Sequence, residues 1–179
     1  MKRLKLAILA SGRGSNAENI LRLARENPDM LEVRAVISDN PDAPIIDKAR
    51  NLGAECLVVP YEKHPTIELS KSAHEERLLG ILRVRGVECI CLAVYQRILS
   101  HKFIQEFFDL NLQASRILNI HPSILPSFRG KDAYSQAFDF GVKLSGATLH
   151  FVDSGVDTGP IFLQGHFERC EDDTLDMFV

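Results

Sequence analysis

Leu4-Lys5-Leu6-Ala7-Ile8-Leu9-Ala10-Ser11-Gly12-Arg13-Gly14-Ser15-Asn16 runs from a nearly continuous apolar segment straight into a glycine-bearing turn. Met1 to Lys5 before the apolar run has the charge of a secretory leader, but the run is too short and the turn follows at once. The segment therefore reads as a strand buried on both faces, with a helix over 17–26 after the turn. In such a unit the turn lies at the carboxyl end of the strand. Its N–H groups and the positive end of the helix dipole make it a place for a phosphate, with Ser15 and Asn16 as added donors. A plain strand-to-helix turn with Ser15 as the cap fits the same residues equally well.

Outward from this unit the alternation continues. Further short apolar runs cover 33–37, 55–59, 87–93 and 116–120, and helix-like stretches cover 44–52, 70–85 and 100–108. Ile45, Ala49 and Leu52 recur at helical spacing, with Pro44 in the first turn and Gly53 past the last, and Ser100 is placed to cap the helix after it. This order predicts right-handed crossovers and a doubly wound α/β fold with a mostly parallel sheet flanked by helices. After residue 120 the pattern changes to a Pro- and Gly-bearing loop over 122–130 and a short helix over 133–140. Strand-like runs at 147–152 and 160–164 follow, expected to pair as a C-terminal antiparallel hairpin. One domain over 1–179 is expected, with a phosphate-binding half at 1–115 and a catalytic half at 116–179.

The chain has 179 residues, 45% hydrophobic and 25% charged, which fits an ordinary globular protein. Its 21 basic against 24 acidic residues give a charge of -3 with no basic run, so nucleic acid is not expected as a partner. No apolar stretch has spanning length, so no membrane role is expected. Cys56, Cys89, Cys91 and Cys170 show no metal-type or redox-type spacing and read as reduced thiols of a cytoplasmic protein, with no metal.

Ile117-Leu118-Asn119-Ile120-His121-Pro122-Ser123 carries the sharpest chemical signal. Strand periodicity puts Asn119 and His121 on one face, where an amide and an imidazole can polarise a carbonyl and move a proton. His121 is expected to be partly open. Asp157, in Asp153-Ser154-Gly155-Val156-Asp157-Thr158-Gly159-Pro160, is a turn residue bonding its own backbone unless the fold brings it to His121, where its carboxylate would favour the imidazolium. The Gly12-x-Gly14 spacing is not the dinucleotide fingerprint.

Taken together, 11–16, Arg97-Ile98-Leu99-Ser100, Asn119-Ile120-His121-Pro122-Ser123-Ile124-Leu125-Pro126 and Asp157-Thr158-Gly159-Pro160 resemble, in order and spacing, the phosphoribosylglycinamide formyltransferase family. The resemblance implies formyl transfer from 10-formyltetrahydrofolate, as co-substrate, to glycinamide ribonucleotide, in a monomer or homodimer. It implies Asn119, His121 and Asp157 as catalytic residues and Gly14, Ser15 and Asn16 at the ribonucleotide phosphate. The reduced folate would meet Lys71, Gln96, Arg97, Ile98, Leu99, Asn119, Asp153, Ser154, Gly155, Val156 and Asp157. Formyltetrahydrofolate hydrolase, methionyl-tRNA formyltransferase and a non-catalytic nucleotide-binding module are the rival readings. Val94 stands where the family usually has Gly, and Arg129 where it usually has Pro. The chain is expected to stop short of a family helix that carries an acidic residue for the ribose.

Overall fold

The computed structural model describes residues 3–178 and divides into two compact units, 1–107 and 108–179.

In the first unit β1 (Leu4–Leu9), β2 (Leu31–Ser38), β3 (Cys56–Val58) and β4 (Cys89–Leu92) are parallel and lie in the order β3-β2-β1-β4. The chain moves outward from β1 to β3 and then returns to the other side of β1, so strand order reverses between β1 and β4. In open α/β sheets ligands bind at such a reversal, outside the carboxyl ends of the strands. The apolar runs become strands because both faces are covered: Ala7, Ile8, Leu9, Val36, Ile37 and Ile90 have no exposed surface.

The helices are α1 (Ser15–Glu26), α2 (Ile45–Asn51), α3 (Ile67–Val84) and α4 (His101–Gln105). Helix α1 turns Ala17, Leu21 and Ala24 inward at helical spacing. Helix α3 begins three residues earlier than its apolar pattern suggests. The Thr66 hydroxyl accepts the Leu69 N–H and sets the start, while Ser70 turns its own hydroxyl back to the Thr66 carbonyl. Helix α4 is shorter than expected; Ser100 caps it as expected, accepting the Phe103 N–H at 3.1 Å, but its last turn tightens and it ends at Gln105.

The second unit opens with a two-stranded ribbon, β5 (Phe108–Asp109) and β6 (Ala114–Ser115), which periodicity did not reveal because each strand is only two residues long. Then come β7 (Ile117–His121), α5 (Ala133–Phe140), β8 (Leu144–Phe151), β9 (Ile161–Glu168) and a final turn of helix, α6 (Leu175–Phe178). β7 pairs antiparallel with β8, and β8 with β9, which forms the expected hairpin with longer strands. The hairpin packs closely: a Cβ on Gly146 would fall 2.0 Å from the Gly165 carbonyl oxygen. Phe178 is buried against Phe138 and Phe167, with the Arg169 guanidinium 3.8 Å over Phe138.

Candidate active site

In the second unit, β7 presents Asn119 and His121 on one face, and β8 sets His150 opposite Asn119 and Thr148 opposite His121. Asp157 reaches this face from the β8–β9 loop. Its Oδ2 lies 3.2 Å from His121 Nδ1, and its Oδ1 3.3 Å from Asn119 Nδ2 and 3.5 Å from His150 Nε2. The amide and both imidazoles therefore converge on one carboxylate. Sequence reasoning selected Asn119, His121 and Asp157 and missed His150 and Thr148. The signal was available, since two polar residues at strand spacing in an apolar run mark β8 as they mark β7.

His121 is 3% exposed, so it is buried and not partly open. The reason is the 122–130 loop, which folds over the ring: His121 Nε2 donates to the Phe128 carbonyl at 2.8 Å. With an acceptor facing each ring nitrogen, both contacts are hydrogen bonds only when both nitrogens carry protons. Thr148 pins this loop, accepting the Leu125 N–H at 3.0 Å and donating to the Ser123 carbonyl at 2.7 Å. Ser123 in turn donates to the Ser127 carbonyl, and the Leu125–Pro126 peptide is cis. On His150, Nδ1 donates to the Phe151 carbonyl at 2.9 Å, which leaves Nε2 toward Asn119 and Asp157.

Burial would raise the Asp157 carboxyl pKa, but hydrogen bonds from His150 and from the Gly130 N–H at 2.8 Å, with the field of His121, hold it below the usual carboxylate value. Asp153, not Asp157, is the side chain that bonds its own loop; it accepts the Gly155 N–H and the Thr158 hydroxyl at 3.1 and 2.7 Å. Asp157 has φ +53, a conformation that tolerates Asp and Asn. Ser154, Gly155 and Val156 are exposed on the way to it.

In the first unit the turn after β1 has Gly14, not Ser15, as the helix cap, at φ +75; a Cβ there would lie 2.5 Å from the Ile45 side chain, so only glycine fits. Ser15 is exposed and Asn16 half-buried, and no side chain caps the first turn of α1. The Ser11 N–H donates to the Val94 carbonyl at 3.1 Å and the Ser11 hydroxyl accepts the Gln96 N–H at 2.9 Å, so the 11–16 and 94–99 turns are tied together. Val94 is half exposed at φ +61, a backbone region that β-branched residues rarely occupy. Gln96 and Ile98 are exposed, Arg97 is half-buried and Leu99 is in the core. Buried Glu75 accepts the Ser100 N–H at 2.6 Å and the Ser100 hydroxyl, which fixes the end of this turn. Lys71 lies half-buried on α3.

Among the described residues no helix is long and apolar enough to cross a membrane, and no group of three or more His, Cys, Asp or Glu side chains is arranged to hold a metal ion.

The family model described as formyl transferase matches residues 4–178. A phosphoribosylglycinamide formyltransferase of Bacillus subtilis (strain 168) is 41% identical over 174 residues, which is 96% of this chain and 83% of that protein. Glycinamide ribonucleotide transformylase 1 from Symbiobacterium toebii superposes with a TM-score of 0.86 at 38% identity, over 98% of this chain and 78% of that one. The phosphoribosylglycinamide formyltransferase of Brucella melitensis gives 0.85 at 38% identity, over 98% and 85%.

Proposed function

Because the chain belongs to the formyl transferase family, we propose that it transfers the formyl group of 10-formyltetrahydrofolate to the amine of glycinamide ribonucleotide, as a cytoplasmic enzyme of purine biosynthesis. The observation that carries the residue assignment is the convergence of Asn119, His121 and His150 on the Asp157 carboxylate.

The chemistry runs as amine attack on the formyl carbon. Negative charge then builds on the former carbonyl oxygen, and the folate nitrogen must leave with a proton. Asn119 Nδ2 and a protonated His121 serve as donors for that oxygen once it displaces the Phe128 carbonyl from His121 Nε2, and donors fixed in a water-poor site are worth far more than the same groups in water. His121 passes a proton to the departing folate nitrogen and takes up the one the amine loses as it becomes a formamide, and Asp157 holds its ring in place and balances its charge. His150 and the Gly130 N–H orient Asp157, so the carboxylate needs no reorganisation during the step. Gly14, Ser15 and Asn16 would take the ribonucleotide phosphate. Lys71, Gln96 to Leu99 and Asp153 to Asp157 would take the folate.

The test is direct: the purified chain is mixed with 10-formyltetrahydrofolate and glycinamide ribonucleotide, and formylglycinamide ribonucleotide is followed by mass. Release of formate from the donor without formylated product would overturn the reading in favour of hydrolysis.

A further inference from the structure

Behind the 96–99 turn of the first unit lies a closed chain of side chains, of which the folate site above includes only Arg97. Asp39, just past β2, is buried with its side chain 1% exposed, and its Oδ2 accepts from Arg97 Nε at 2.5 Å. The Arg97 guanidinium lies 4.3 Å over the ring of Tyr61, just past β3. The Tyr61 ring is 5.3 Å from that of His74 on α3, and His74 Nε2 is 2.6 Å from the hydroxyl of Tyr95, two residues before Arg97. Burial lowers the His74 pKa, so the ring is held neutral with Nε2 free to accept from that hydroxyl. A carboxylate below, an aromatic face against the plane and a braced turn thus fix one guanidinium.

What this arrangement leaves free is specific. Only Nε of Arg97 is engaged by Asp39; the two terminal nitrogens make no hydrogen bond among the described residues, and the side chain keeps 39% of its surface. The other Asp39 oxygen, Oδ1, is buried without a partner. A guanidinium fixed in advance loses less rotamer freedom when it forks onto an oxyanion.

Resting on the formyltransferase reading, which already puts Arg97 at the ligand, we infer that Asp39 and Tyr61 are positioning residues that fix its guanidinium in advance for one ligand oxyanion at the carboxyl edge of this sheet. Two sources offer that chemistry: the glutamyl carboxylates of the folate and the phosphate of the ribonucleotide.

Titration of the full chain separates them, using 5-formyltetrahydrofolate, its pteroate analogue without the glutamyl group, and glycinamide ribonucleotide. In Asp39→Ala, and in Tyr61→Ala should the first fold poorly, affinity for one anion-bearing ligand falls about tenfold. The other two ligands stay within about twofold, Tyr61→Phe binds as wild type, and Asp39→Asn, which keeps an acceptor for Nε, recovers most of the loss. Equal weakening of all three ligands, or of none, overturns the proposal. These are binding constants, so a wild-type chain that binds but transfers no formyl group would count against the function and not against this assignment.

Discussion

His121 combines two roles that its burial makes inseparable. His121→Ala removes a proton donor, which lowers formyl-transfer kcat/KM by roughly 10²–10⁴-fold. It also takes the imidazole donor from the Phe128 carbonyl and leaves Asp157 Oδ2 with the Gly130 N–H, at a cost of about 1–3 kcal/mol in urea unfolding. Assay and unfolding curves on the same preparation check both. Asp157 gives a pH signature of known sign. Its folded pKa lies below the ordinary 3.8, so it is the ionised form that the fold stabilises. That contribution is complete above 3.8 and disappears as pH falls through the lower folded value. The Tm gap between wild type and Asp157→Asn should therefore be widest near neutrality and close as pH falls below 3.8 through the lower folded value. Asn119 and His121 were legible because polar residues at strand spacing in an apolar run demand a partner. Burial of His121 was not legible, since it depends on how the 122–130 loop folds back.

Among the elements, the turn after β4 holds stored strain. Val94→Gly should raise stability by about 1 kcal/mol, the relief at φ +61 outweighing the added freedom of the unfolded chain, and urea midpoints read it. Gly159 shows the opposite case, because a Cβ would sit 1.8 Å from the Phe151 carbonyl oxygen. Gly159→Ala should cost about 3 kcal/mol or more and displace Asp157, with loss of activity alongside stability. The parallel strands were readable from continuous apolar runs. The start of α3 was missed although Pro65 and the capping Thr66 mark it, and the early end of α4 was not readable, since the packing of Phe103 on Phe107 decides it with no glycine or proline to mark the place.

Across the whole molecule, strand–helix alternation was enough to give the α/β class, and the change of pattern after residue 120 gave the antiparallel hairpin. The boundary between the two compact units falls along the chain at 107/108, just before the ribbon that the sequence did not mark. Thiol chemistry offers a check on the packing of both. Cys170 is exposed, Cys89 is buried, and burial pushes the Cys91 thiol up to about 12. An aromatic disulfide reagent at pH 8 should therefore modify Cys170 quickly, Cys56 slowly, and Cys89 and Cys91 only once denaturant is added.

The left-handed backbone at Asp157 means that a saturation library at this codon would sort its members by two unrelated penalties. Asparagine keeps the shape and discards the charge; glutamate keeps the charge and fits the twist badly; alanine forfeits both. Comparing those three replacements isolates what the negative charge contributes from what the bend of the main chain contributes, a separation that most acidic positions do not permit.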